Sequence, residues 1–407
     1  MDEPSRRTAA ITHSERDDAH PMQWRKAAMF GHRRAGRGRA RPVRRIAALA
    51  GAHALAAALT GFGAVPAHAA EPTCFNAVAT GTVGTPGDDV LIGTEGRDVI
   101  DGRGGHDKIC GLGGDDVLIG GGGDDQIAGG AGDDQLDGGA GVDLLVGDDI
   151  AWTGDATGPT GRDRLVGGAA GDSLIGDHYA VQGTANGASA DLLLGGDGED
   201  SLTGDSVGDR ATGGADDRLE GGRDSDNLTG DSAGFHDAAG AGDDVLLEGP
   251  GDNGLATGDS SSILGNVSGS GGDDVIDLGE DGGFGAWGDH QTYSGTAVGS
   301  GNDRILGGRA GEVVLAGDSG LGDPTGATAG HDVIDGRGGN DRIIGDNADA
   351  RFTNDSIGTA GGTDFLTGGA GDDFLRGGPA NDTLNGGADT DDCDGESATN
   401  VQLACEI

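Results

Sequence analysis

From residue 84 to 146 a large aliphatic side chain returns every ninth residue, at Leu91, Ile100, Ile109, Leu118, Ile127, Leu136 and Leu145. Each sits between neighbours that point the other way in an extended chain, so three residues at a time read as a short half-buried strand. The six residues between successive strands are dense in glycine, which turns the backbone sharply at positive φ and leaves no length for a helix. An acid precedes every aliphatic by two positions, at Asp89, Asp98, Asp107, Asp116, Asp125, Asp134 and Asp143. Residues 129–137, Gly-Gly-Ala-Gly-Asp-Asp-Gln-Leu-Asp, give the phrase in its fullest form. Compositional bias alone does not keep acid and aliphatic in phase, so the pattern predicts stacked strand-and-turn units rather than a disordered tract.

After residue 146 a longer period takes over. A Gly-Asp dipeptide follows a strand with its Asp at positions 148, 177, 205, 231, 259, 289, 318 and 346. Each unit holds one short turn, one longer loop and a strand entry that keeps its acid, at Asp163, Asp191, Asp217, Asp244, Asp274, Asp303, Asp332 and Asp364. The units read as two-turn coils with about ten residues inserted on one edge, because insertions in a solenoid map to one face. The short turns keep their acid at Asp172, Asp200, Asp226 and Asp341. Three depart from the pattern: residues 249–254 are shifted, residues 279–285 lack the acid, and Glu312 stands in for Asp in another. The inward aliphatic also shrinks to Ala256 and Ala286, so a gap or a differently filled coil is expected there. Strict nine-residue spacing returns at Asp364, Asp373, Asp382 and Asp391.

The phrase Gly-Gly-x-Gly-x-Asp-x-U-x, with U a large aliphatic, resembles the RTX, or haemolysin-type, calcium-binding repeat family. The resemblance covers residues 84–391, strictly in the first and last blocks and loosely between them. It implies an all-β fold, a right-handed parallel β-roll or β-solenoid with two nonapeptides per coil, here with long loops on one edge of the central coils. It also implies calcium ions between neighbouring turns, held by Asp89, Asp98, Asp107, Asp116, Asp125, Asp134, Asp143, Asp172, Asp200, Asp226, Asp341, Asp373, Asp382 and Asp391. The residues suit that chemistry: carboxylates added to turn carbonyls make an all-oxygen, flexible shell that favours calcium over zinc.

Composition agrees. The chain has 407 residues, 89 of them Gly, with 3% aromatic and a formal net charge of −44. A solenoid needs only a thin line of aliphatics between stacked neighbours. The charge disfavours nucleic acid and anionic membrane as partners and makes the compact state repel itself unless cations neutralise it. Residues 1–45 are basic, residues 46–65 apolar, and Ala67-His68-Ala69 ends them in the form of a secretory signal cut after Ala69, which predicts an extracellular protein with no membrane segment once cleaved. Four cysteines sit at the two ends of the repeats. Coils rise ~4.8 Å each, so about a dozen of them keep the ends tens of ångströms apart. A disulfide bridges only about 7 Å between Cα atoms, which pairs Cys74 with Cys110 and Cys393 with Cys405. The expected organisation is a leader and signal peptide (1–69), an N-terminal cap (70–83), a regular block (84–146), irregular coils (147–359), a second regular block (360–391) and a disulfide-closed cap (392–407).

The long loops collect Trp152, Tyr179, Phe235, Trp287, Tyr293 and Phe352, a candidate recognition surface for a cell-envelope glycan or protein if the loops share an edge. The plainer reading, that these rings pack the loops against one another, is preferred. The loop histidines His178, His236 and His290 are too far apart for a local zinc motif. Neighbouring acids are explained by the repeat, and no nucleophile elbow or phosphate loop is present, so an extracellular structural or adhesive module is expected ahead of a solenoid enzyme acting on polysaccharide. A third alternative is ice binding through the threonine rank Thr203, Thr229 and Thr257.

Overall fold

The computed structural model describes residues 73–251, 254–350 and 356–406. The expected signal peptide and Phe352 lie outside the described residues. Each x-U-x triplet forms a strand, and successive turns of the chain stack these strands into a β-solenoid with no helix among the described residues. One thirteen-stranded sheet runs from Val90–Ile92 to Asp392–Asp394, and a second from Val99–Asp101 to Val401–Leu403. Every pairing within them is parallel, and the register follows the aliphatic rank: Leu91 with Ile109, Ile109 with Ile127, Ile127 with Leu145, then Leu145 with Leu174 across the longer unit. Pairing by rank keeps every inward side chain over its counterpart, because a slip of one residue would turn them all outward.

The core is therefore a column. Leu118, Leu136, Leu165, Leu193, Leu219 and Leu246 succeed one another in one sheet, and Ile109, Ile127, Leu145, Leu174, Leu202 and Leu228 in the other, all fully buried in one continuous cluster. Where the column thins to Ala256 and Ala286, Leu278 joins it from the end of a strand in the facing sheet, fully buried. The coil is differently filled.

The inserted segments are not loops. They form a third, eleven-stranded parallel sheet whose main path runs from Ile150–Ala151 through Tyr179–Ala180, Val207–Thr212, Ala233–Ala239, Ser261–Ser262, Gln291–Thr292 and Gly320–Leu321 to Ala348–Asp349. Near-equal insert lengths let neighbouring segments satisfy one another's backbone groups, so the central coils are three-sided. This sheet buries small apolar clusters, such as Ala156, Ala180 and Ala185, or Trp287 with Val314, Ala316 and Ile344. Much of what lies between it and the other two sheets is polar: Asp205, Ser206, Asp231, Ser232, His178 and His290 are all fully buried.

That third side bears on two of the alternatives. The rank Ile175, Thr203, Thr229, Thr257, Trp287 is in register, but Thr203 and Thr257 are buried, so the rank offers no flat face to ice. The aromatic ridge does not assemble either. Trp287 is wholly buried, and Trp152 packs edge-on against Phe75 of the N-terminal cap with centroids 6.4 Å apart. Tyr179 is half-buried, and of the five described residues only Phe235 and Tyr293 stand well exposed, at 41% and 43%.

Both ends are tied as the stacking required. Cys74 is bonded to Cys110 and Cys393 to Cys405, with Cα separations of 5.9 and 5.8 Å. The first bridge anchors the antiparallel pair Thr73–Cys74 and Ala77–Val78 over the first coil.

Leu193→Ala removes a side chain from the middle of the column, and should cost about 2–5 kcal/mol, whereas Leu192→Ala on the half-buried outer side of the same strand should cost far less. Urea unfolding of both variants in saturating calcium checks the contrast.

Candidate metal centre

The acid of each turn is held in one geometry throughout. Its backbone N–H donates to the Oδ1 atom of the corresponding acid one coil later, so the carboxylates form ladders along the two edges of the column. On one edge the bonds run Asp89 to Asp107, Asp125, Asp143, Asp172, Asp200 and Asp226, at 2.7 to 2.9 Å. The other edge is unbroken from Asp98 through Asp116, Asp134, Asp163, Asp191, Asp217, Asp244, Asp274, Asp303, Asp332 and Asp364 to Asp382. The C-terminal cap ends both ladders: Asn400 Oδ1 accepts from the N–H of Asp382, and Glu406 Oε2 from that of Asp391.

With Oδ1 so fixed, Oδ2 turns inward. The Oδ2 atoms of Asp107, Asp116, Asp125, Asp134, Asp143, Asp172, Asp200, Asp226, Asp341, Asp373, Asp382 and Asp391 are buried without any hydrogen-bond donor, as are those of Asp163, Asp191 and the later strand-entry acids. Buried polar atoms are rarely left so. Each faces the first glycine of its turn. A Cβ on Gly120 would lie 2.3 Å from Asp125 Oδ2 and 2.8 Å from the Gly138 carbonyl oxygen of the next coil. A Cβ on Gly147 would lie 2.2 Å from Asp163 Oδ2 and 1.8 Å from the Gly176 oxygen. Absence of a side chain thus opens a cradle walled by one carboxylate oxygen and a peptide carbonyl, repeated coil after coil. Among the described residues no three His, Cys, Asp or Glu side chains converge, so carbonyls must complete any shell. Hard oxygen donors of that kind fit calcium.

The same burial sets the electrostatics. Desolvation raises Asp125 to about 6, Asp134 and Asp143 to about 7 and Asp172 to about 8, against the lowering effect of the backbone N–H each accepts. In the three-sided coils desolvation and neighbouring carboxylates push Asp191, Asp217, Asp274 and Asp303 well above the ordinary range. Ionised carboxylates without a cation are therefore strongly disfavoured in this fold.

Individual turns vary the theme. In the first coil the Oδ2 atoms of Asp89 and Asp98 accept from the N–H and hydroxyl of Thr85 and Thr94, so these two carboxylates are already satisfied. Gly254 stands where other turns carry the acid, and a Cβ there would nearly coincide with Glu248 Oε1. Glu248 replaces the cradle glycine of its own turn and brings a carboxylate to the vacated place, with both oxygens buried and unpartnered. One coil on, Leu278 takes the same position and fills the space with an alkyl chain. Glu312 rejoins the ladder, its N–H donating to Asp341 Oδ1.

The structure adds members that the motif alone did not nominate. Asp163, Asp191, Asp217, Asp244, Asp274, Asp303, Asp332 and Asp364 were legible as strand-entry acids, and they complete the second ladder. Glu248 was legible only as a residue outside the phrase.

A family model described as the RTX calcium-binding nonapeptide repeat matches residues 83–118, 111–145, 187–210, 211–233, 327–349 and 359–393. No curated protein and no solved structure matches the chain. These stretches carry RTX calcium-binding repeats, and they lie on one parallel β-solenoid.

The cradle predicts a contrast between two glycines of one turn. Gly120→Ala should abolish calcium-dependent structure in the N-terminal block or raise its calcium midpoint at least tenfold, because the new methyl group meets Asp125 Oδ2 and the Gly138 oxygen. Gly122→Ala, where a Cβ meets nothing within 4 Å, should shift stability by no more than about 0.5 kcal/mol. Calcium titrations followed by far-UV circular dichroism separate the two.

Proposed function

We propose that this chain is a secreted protein whose folding is driven by calcium, and that the folded solenoid acts outside the cell as a structural or adhesive module. The observation that carries the reading is the file of buried carboxylate oxygens with no donor, facing glycine carbonyls in coil after coil. Without cations the carboxylates repel and resist desolvation, so the chain stays unfolded and exportable. Calcium supplied outside provides the missing partner, and binding free energy becomes folding free energy. The basic and apolar leader ending at Ala69 supports export. An enzyme is the weaker reading, since the buried acids are occupied by the ladder and its calcium chemistry. Partners of the exposed surface, an envelope glycan or protein, belong to the adhesive half of the proposal and are tested by pull-down of cell-envelope material with the calcium-loaded chain.

The direct test is reversible removal of the ion. EDTA should erase the far-UV β signal, and added calcium should restore it cooperatively; equal folding in both conditions would falsify the coupling.

A pH experiment gives a second signature, with opposite signs in the two states. Burial raises the folded-state pKa of Asp125, Asp134, Asp143 and Asp172 to about 6 to 8, above the unfolded value of 3.8. Groups raised in this way favour the calcium-free fold below the unfolded pKa, and that contribution is lost as pH climbs through the folded values. Residual structure in EDTA should therefore grow as pH falls from 8 towards 4. In calcium the trend should reverse, with the calcium midpoint rising on acidification because protons compete for the same oxygens.

A further inference from the structure

The eight aspartates of the Gly-Asp dipeptides belong to neither ladder. Each stands second in its turn, where the nonapeptide has glycine, at the corner where a strand of the first sheet gives way to the third side. The backbone there stacks in register: the N–H of Asp148 donates to the carbonyl of Asp177 at 3.1 Å, that of Asp177 to Asp205 at 3.0 Å, and that of Asp205 to Asp231 at 3.1 Å. Their side chains consequently lie one above another, about one strand spacing apart. All are buried to within 1% of full enclosure.

Their hydrogen bonding is incomplete in a regular way. Both carboxylate oxygens of Asp148, Asp205 and Asp231 lack any donor, and so does Oδ2 of Asp177, Asp259, Asp289, Asp318 and Asp346. Where an oxygen is satisfied, the donor comes from the returning segment of the same coil: the Ser189 hydroxyl for Asp177, and the N–H of Gly272, Gly301, Gly330 and Gly362 for Asp259, Asp289, Asp318 and Asp346. These donors fix the side chains and leave the remaining oxygens aimed along the file. The serines next to the file in sequence do not supply the missing donors: Ser206 and Ser232 give their hydroxyls to the carbonyls of Gly187 and Gly213.

We propose that the file running from Asp148 through Asp177, Asp205, Asp231 and Asp259 to Asp346 is a second row of calcium sites, distinct from the nonapeptide turns, with ions held between carboxylates of successive coils. Buried oxygens are seldom left without a partner, and a cation lodged between successive carboxylates would supply one to several of them at once. Burial first, and the neighbouring carboxylates second, drive Asp148, Asp205 and Asp231 towards the neutral form when no cation is present, and among the described residues no buried Lys or Arg side chain is bonded to the file to hold it ionised. An all-oxygen, anionic, flexible donor set selects a hard divalent cation over zinc or copper. The row exists only where the third sheet exists, so it explains why the interior beneath that sheet is polar. The ions would replace, as the central filling of the three-sided coils, the aliphatic packing that the two-sided coils rely on.

This inference rests on the calcium reading above and deepens it, and one crystallographic experiment separates the two. Crystals of the full chain grown in calcium, with calcium exchanged for terbium, are measured at the terbium absorption edge. Anomalous peaks between Asp177 and Asp205 and between Asp205 and Asp231, besides those at cradles such as that of Asp125, are the expected result. Peaks at the cradles with none in the file overturn the second row and leave calcium-driven folding intact. Peaks at neither overturn both. In solution, the double variant Asp205→Asn, Asp231→Asn should bind fewer calcium ions per chain by mass spectrometry of the dialysed protein while the nonapeptide blocks keep their β signal. Unchanged stoichiometry in a folded variant would contradict the second row, and if the variant does not fold, the anomalous map of the unmodified chain still decides.

Discussion

One constraint governs the stack: in most turns a carboxylate is pinned by a hydrogen bond along the stack, and its second oxygen is left facing inward with nothing to accept from. The N–H to Oδ1 bond sets both the position and the direction of the group, so the orphaned oxygens line up at the spacing of the strands. Two unit charges one strand spacing apart repel by roughly 3 kcal/mol at an effective interior dielectric of about 20. The column of single aliphatics is thin, and each coil contributes only one large side chain per sheet to set against that repulsion and against chain entropy. A fold of this kind is therefore conditional. Under the function proposed above, cations filling the cradles supply the missing stability, and an acidic composition short of aromatics is what such a fold would need.

The glycine content follows from the same geometry rather than from flexibility. Gly120 and Gly147 are excluded from bearing a side chain because their Cβ would occupy the space between a carboxylate and the next coil's carbonyl. The two exceptions show the rule from the other side. Glu248 and Leu278 occupy cradle-glycine positions in turns whose own acid is missing, and each fills the space that the absent carboxylate would have bordered, one with another carboxylate and one with an alkyl chain.

How much of this the sequence discloses depends on whether a signal is local. The nine-residue phase of Asp107 and Ile109, Asp116 and Leu118, Asp125 and Ile127 is local, and it specified strand, turn, register and ladder together. The cysteine pairing was legible because stacking forbids the long alternative. The third sheet was not. Its strands, such as Ile150–Ala151, Ser261–Ser262 and Gln291–Thr292, share no alternation and gain their hydrogen bonds only from equivalents some 30 residues away. Near-equal insert length was the available clue, and it says that segments superimpose without saying that they pair. Missing that sheet misplaces the residues beneath it: Trp287 and the Thr203 rank look exposed on a two-sided coil and are buried in a three-sided one. Asp148 and its equivalents were read as markers of a period, since the motif assigns glycine, and hence no side-chain chemistry, to their position.

The interruption between residues 249 and 312 shows why two ladders are more robust than one. At Gly254 and Phe284 the first edge loses its acids, while the second edge continues through Asp244, Asp274 and Asp303 with bonds of 2.7 to 2.8 Å. In a stack whose stability is a sum of coil and nearest-neighbour contributions, a coil lacking both edges would uncouple the halves on either side. Here the break falls on one edge only. Leu278 joins the column there, the third sheet runs past it without a break through Ser261–Ser262 and Gln291–Thr292, and the N-terminal and C-terminal blocks stay joined through the second ladder. The chain departs from the repeat where the remaining contacts can carry register alone: it is loosest in the three-sided middle and strict in the two-sided blocks that have no third side to rely on.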